Sequence, residues 1–202
     1  MNVLSPYQVA SIRIISAGLV LLPFAAKAMR NIAKEKRGVV VLSGLLGSFF
    51  PAYLFCIAET KIDSALAGIM NALTPLFVII TGISFFQLQV KKLQLIGIIV
   101  GFIGLSLLVA AGSNISLEYF SYSLLVLLAT LFYGINVNMV GKHMQGIGSL
   151  EIASMAFVFL LIPCSIILYF TGYFALPLTE DAYLLSTGAS AVLGIFGTAV
   201  AS

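Results

Sequence analysis

Residues 119–141 read YFSYSLLVLLATLFYGINVNMVG, 23 consecutive residues without a formal charge. As a helix this stretch reaches about 34 Å, enough to cross roughly 30 Å of hydrocarbon. The run Leu124-Leu125-Val126-Leu127-Leu128 does not alternate, whereas spans of a membrane barrel are about 10 residues long and alternate strictly. Hydrocarbon holds no water, so each backbone group must pair within its own segment, and a helix is the structure that achieves this.

Six further uncharged or nearly uncharged stretches have the same character. They run over Val9–Ala26, Gly38–Ala58, Ser64–Leu88, Leu93–Ala111, Ile152–Phe174 and Ala182–Ser202. With 119–141 they hold 150 of the 202 residues, yet only one of the 17 formal charges, Arg13. The chain is 61% hydrophobic and 8% charged, against about 45–50% and about 25% in soluble domains. That excludes a soluble or disordered chain, and a net charge of +3 supplies no field for nucleic acid. The expectation is an all-α membrane protein of seven transmembrane helices, with the lipid bilayer as its surroundings.

The loops give the orientation. Lys27, Arg30, Lys34, Lys36 and Arg37, then Lys91 and Lys92, then Lys142 fall in alternate loops and therefore on one side; the opposite loops hold only Lys61. By the positive-inside rule the basic loops are cytoplasmic and residue 1 lies outside. Met1 to Gln8 carries no basic region and no cleavage site follows, so no signal peptide is read there. Cys56 and Cys164 both fall inside spans, which suits small apolar fillers better than a disulfide or a metal site, and no cofactor is expected.

An internal repeat sets the architecture. Gln8-Val9-Ala10-Ser11-Ile12 recurs as Glu151-Ile152-Ala153-Ser154-Met155, and Val40-Val41-Leu42-Ser43 as Tyr183-Leu184-Leu185-Ser186, both 143 residues later; Leu46-Gly47-Ser48-Phe49 pairs with Leu193-Gly194-Ile195-Phe196 at 147. Five crossings separate the copies, so they point in opposite directions, the arrangement that suits alternating access. A five-span period implies ten spans and roughly 286 residues or slightly more. With an unanchored Val200-Ala201-Ser202 at one end and almost nothing before Val9 at the other, one span is expected before this sequence and two after it.

Arg13 in Ile12-Arg13-Ile14, the segment Ala58-Glu59-Thr60-Lys61-Ile62-Asp63-Ser64-Ala65-Leu66-Ala67-Gly68, then Leu73-Thr74-Pro75-Leu76-Phe77, and Leu95-Ile96-Gly97 opening a glycine-rich span resemble the EamA family of the drug/metabolite transporter (DMT) superfamily. The resemblance runs nearly the whole chain and is stronger in its first part. One departure is visible: where the family usually has an acidic residue after the proline-containing span, this chain reads Phe86-Gln87-Leu88-Gln89. The resemblance implies a ten-helix carrier of two inverted five-helix repeats. Residues 1–118 would be the first repeat without its first helix, and residues 119–202 the first three helices of the second. It further implies efflux or exchange of a small metabolite or drug-like molecule across the bacterial inner membrane.

The candidate substrate-binding residues are Arg13, Glu59, Asn71, Pro75, Tyr133 and Asn136. A charge in hydrocarbon costs about 2.5–3.5 kcal/mol on insertion scales, so Arg13 should face protein or water, either in a substrate or gating role or snorkelling as an anchor. Glu59 sits at an outer helix end, beside a cavity or simply solvated. Asn71 and Pro75 lie four apart on one face, and Pro75 should free the Asn71 carbonyl at midplane. Tyr133 and Asn136 share a face, from which Asn138 should point away. The stripe Gly97, Gly101, Gly104 should pack inside the bundle, or join two copies as a homodimer. His143 beside Lys142 reads as a surface residue.

Enzymatic readings lack their residues. Asp63 and Asp181 lie in outer loops, which excludes an intramembrane aspartyl protease, and His143, the sole histidine, is at the cytoplasmic edge. A seven-helix receptor fits the span count, but the last span has no lysine for a retinal Schiff base. A non-transporting membrane scaffold is the other alternative.

Overall fold

The computed structural model describes residues 3–89, 91–111 and 117–199. Among them the elements are α1 (Pro6–Asn31), α2 (Lys34–Gly44), a π turn (Leu45–Phe49), α3 (Phe50–Ala58), α4 (Ser64–Asn71), α5 (Thr74–Phe86) and α6 (Lys92–Ala111). There follow α7 (Leu117–His143), α8 (Ser149–Phe170), a 3₁₀ turn (Tyr173–Ala175), α9 (Asp181–Gly194) and a second π turn (Ile195–Ala199). Among the described residues five helical stretches are long and apolar enough to cross a membrane: Pro6–Asn31, Lys34–Ala58, Ser64–Phe86, Tyr119–His143 and Ser149–Phe170. The remaining two uncharged stretches are occupied by α6 and by α9 with its π turn.

Local sequence explains the ends of α1. Ser5 caps it, accepting from the Gln8 backbone N–H, while the Gln8 side chain accepts from the Ser5 N–H and Pro6 stands where its missing N–H is harmless. At the other end Arg37 Nη2 donates to the Met29 carbonyl at 2.6 Å, placing a cation on the negative end of the helix.

The chain forms two compact units, Met1–Phe49 with His143–Ser202, and Phe50–Lys142. The first is built on an antiparallel pair, α1 and α8. Ala10, Ile14, Ala17, Leu21, Ala25 and Ala28 are buried along one stripe of α1 at three- and four-residue spacings. The four alanines among them let the helices approach closely, which is how helices associate where lipid is as apolar as leucine. Three points fix the register: Gln8 Nε2 donates to the Thr171 carbonyl at 3.0 Å, Gly18 lies against Leu161, and Asn31 Nδ2 donates to Glu151 at the far end. A Cβ on Gly18 would sit 2.7 Å from Leu161 Cδ2.

Two further close approaches complete this unit. Gly44, the last residue of α2, rests against α8, where a Cβ would come 3.1 Å from Ala156 Cβ. Gly194, the last residue of α9, rests against α1, where a Cβ would run into the Arg13 carbonyl and Ser16 Oγ. Each glycine immediately precedes a π turn. Gly44-Leu45-Leu46-Gly47-Ser48 and Gly194-Ile195-Phe196-Gly197-Thr198 therefore match 150 residues apart. This pairing aligns the two π turns with each other, which the expected 147-residue pairing does not.

In the second unit, Ala58, Ile62, Ala67, Met70 and Val126 form a core at one end, joining the α3–α4 connection to α7. Packing of the glycine stripe inside the bundle is not observed. A Cβ at Gly97, Gly101 or Gly104 would meet nothing within 4 Å among the described residues, because this face of α6 borders a cavity.

Candidate functional site

In the second unit α5 and α7 touch backbone to backbone. A Cβ on Gly134 would lie 2.7 to 2.9 Å from the Phe77 carbonyl group and the Val78 nitrogen, so glycine is required there. One turn on, Asn138 Nδ2 donates to the Val78 carbonyl at 2.7 Å, to Thr81 Oγ1 at 3.0 Å and to the Gly134 carbonyl at 2.9 Å. Thr81 is buried and its hydroxyl donates to the Phe77 carbonyl at 2.7 Å. Asn138, expected to point away from the face of Tyr133 and Asn136, is the residue that binds the third span.

Asn136 has the opposite character. Its Oδ1 is buried without a hydrogen-bond partner among the described residues. A buried amide oxygen left unpaired carries a desolvation cost of about 1–3 kcal/mol, which a ligand donor would remove. Tyr133, expected to share its face, stacks at a tilt on Phe55 with ring centroids 6.3 Å apart, and Phe132 does the same on Phe50 at 5.6 Å.

The third span is broken. α4 ends at Asn71 and α5 begins at Thr74, with Pro75 in its first turn. Pro75 cannot donate to the Asn71 carbonyl, as a helical residue there would. Thr74 Oγ1 donates to that carbonyl instead, at 2.7 Å, and lies 3.1 Å from Asn71 Oδ1. The carbonyl expected to stand free for a ligand is therefore already engaged within its own segment. Asn71 and Pro75 are both exposed. Pro75, Leu73 and Leu76 line a cavity of about 430 Å³ whose other wall is Gly97, Gly101 and Gly104 of α6. Gln94 is the one polar side chain on the lining. Glu59 lies outside these features, exposed in the turn that follows α3.

Arg13 belongs to the first unit. It is half-buried, its Nε is buried without a hydrogen-bond partner among the described residues, and its own carbonyl is the surface on which Gly194 and the second π turn are seated. The acids of this unit stand at helix ends instead: Glu35 and Glu151 in first turns, Glu180 just before α9 and Asp181 opening it.

Sequence reasoning identified Arg13 and Asn136, the two residues with orphaned buried atoms, but missed Asn138, Thr81 and the π turns. The signal for the former was present as glycine: Gly82 and Gly134 mark the close approach, and a Cβ on Gly82 would come 3.0 Å from Asn138 Oδ1.

No curated protein and no solved structure matches the chain. Comparison with protein families matches residues 1–110, from α1 almost to the end of α6, to the EamA-like transporter family. With more than half its length matched, and with helices long and apolar enough to make it a multi-pass membrane protein, the chain belongs to the EamA-like transporter family of the DMT superfamily.

Proposed function

We propose that the protein is a secondary carrier that moves a small metabolite or drug-like molecule across the bacterial inner membrane by alternating access, as an exporter or exchanger. In this reading the spans belong to two inverted five-helix repeats, 1–118 and 119–202, of a ten-helix fold with residue 1 outside and the basic loops cytoplasmic.

One observation carries the mechanism. The 143-residue offset maps Gly18 onto Leu161, the residue it touches, and maps Arg13 onto Ala156. With Gly44 matched to Gly194 at 150 residues, the Gly44–Ala156 approach is the counterpart of the Gly194–Arg13 approach, and a π turn follows the glycine each time. Reciprocal contacts of this kind are what a two-fold relation between the copies produces. Gly18 falls at the middle of α1, so the axis would lie in the membrane plane at mid-depth. Two arrangements related by such an axis are nearly equal in energy and face opposite sides. A receptor or scaffold has no use for that equivalence.

The test is counterflow. Proteoliposomes loaded with a cell extract of small metabolites are diluted into the same extract labelled with carbon-13, and the contents are read by mass spectrometry. Accumulation of one or a few labelled compounds, saturable and dependent on the internal pool, is expected. Uniform leakage would refute the carrier reading, and ligand binding without exchange would favour a receptor or scaffold.

A further inference from the structure

We propose that Arg13 is an oxyanion-binding residue and that the solute this protein handles carries a carboxylate or phosphate group; this rests on the carrier reading and deepens it. Three observations converge on that residue. Arg13 is the only formal charge within the uncharged stretches. Its Nε is buried and has no partner among the described residues, and the acids of its own unit stand at the ends of other helices. The second π turn begins at the glycine seated on its backbone, and π turns inside helices recur at functional sites.

An anchoring role accounts for these facts poorly. With residue 1 outside, Arg13 lies in the outer half of its span, the side that the positive-inside rule leaves poor in basic residues. A snorkelling arginine needs only its terminal nitrogens among the headgroups, which leaves the buried Nε still without an acceptor among the described residues. The repeat sharpens the point. At the counterpart position in α8 stands Ala156, packed under Gly44 with no polar atom, so the helix crossing itself does not call for a cation. The planar fork of arginine matches two oxygens of a carboxylate or phosphate at once. Such a group supplies the acceptor that Nε lacks.

The test is nitrogen-15 NMR of arginine Nε–H groups in the lipid-reconstituted protein, with the Arg13 signal assigned by its disappearance in Arg13→Lys. Sodium phosphate and sodium acetate are titrated separately against sodium chloride at matched ionic strength. The Arg13 signal is expected to move saturably with phosphate, with acetate or with both, and not with chloride; the responding probe identifies the group. In Arg13→Gln the concentration of that probe giving half-maximal thermal stabilisation is expected to rise about tenfold or more, the usual loss when one charge-assisted pair is removed. Arg13→Lys, which keeps the charge but not the fork, should fall between. An Arg13 signal that ignores both oxyanions, or follows chloride equally, overturns the assignment. Saturable exchange of a neutral or cationic solute that Arg13→Gln leaves unchanged would keep the carrier reading and remove this one. Oxyanion binding at Arg13 without any exchange would do the reverse.

Discussion

Gly134→Ala puts a methyl group into the tightest contact of the second unit. The new Cβ would stand 2.7 Å from the Phe77 carbonyl carbon, where ordinary contact begins near 3.4 Å. The obstructing atoms are backbone, so α5 and α7 must part by about 0.7 Å. That displacement stretches the 2.7 Å bond from Asn138 to the Val78 carbonyl to the limit of a hydrogen bond and weakens the one to Thr81. Overpacking of this kind costs about 1–3 kcal/mol, and interhelical hydrogen bonds in membranes contribute about 0.6 kcal/mol, up to 1.7. The expected loss is therefore about 2–4 kcal/mol. Asn138→Leu alone should cost about 1–2 kcal/mol, because it also leaves the Val78 carbonyl and Thr81 with one donor fewer. The pair should be non-additive, since a bond already broken by Gly134→Ala cannot be lost twice, and the double variant should fall short of the sum by about 0.6–1.7 kcal/mol. Reversible unfolding in mixed micelles reads all four corners of this cycle. Full additivity, or a Gly134→Ala loss below about 0.5 kcal/mol, the range of an ordinary surface change, would refute the close approach and its amide.

Four other outcomes are expected. Thr74→Val keeps the shape of the side chain but removes the donor to the Asn71 carbonyl, so the broken span should lose about 1–2 kcal/mol in the same unfolding assay, and Thr74→Ser should restore most of it. Gln8→Leu removes both the capping partner of Ser5 and the tie to Thr171, for about 1–2 kcal/mol and faster amide exchange in the first turn of α1. In a background lacking Cys56 and Cys164, cysteines at Lys34 and Lys91 should resist an impermeant reagent applied to intact cells while cysteines at Glu59 and Glu180 react; the opposite pattern would invert the topology. Asn136→Leu should hold or raise stability, because it removes an unpaired buried oxygen, yet reduce exchange activity in proteoliposomes if that oxygen meets the solute.

Charge spacing made the helices readable. Uncharged stretches longer than a bilayer leave the backbone one solution, and Ser5, Pro6 and Gln8 spell a helix start on their own. Pro75 likewise announced a disturbed span. What spacing could not supply was the neighbour. Asn136 and Asn138 sit two positions apart, about 200° around the helix, so sequence separates their faces without saying which one meets α5. The close approach at Gly134 decides that, and it brings Asn138 to Val78. The freed carbonyl at Asn71 was legible, but its capture by Thr74 depends on a side-chain rotamer. The π turns were invisible because one additional residue per turn costs little and leaves no compositional trace.

The antiparallel register of α1 and α8 also carries a cost in time. Gln8 waits for Thr171, 163 residues later, and Asn31 for Glu151, 120 residues later. At synthesis rates of roughly 5–20 residues per second, α1 remains without its partner for about 6 to 33 seconds after it enters the bilayer. Throughout that interval its alanine stripe and its arginine face lipid or the insertion machinery. Nascent chains halted before α8 emerges should therefore show α1 crosslinking to insertase components, and the crosslinks should vanish once α8 has been released.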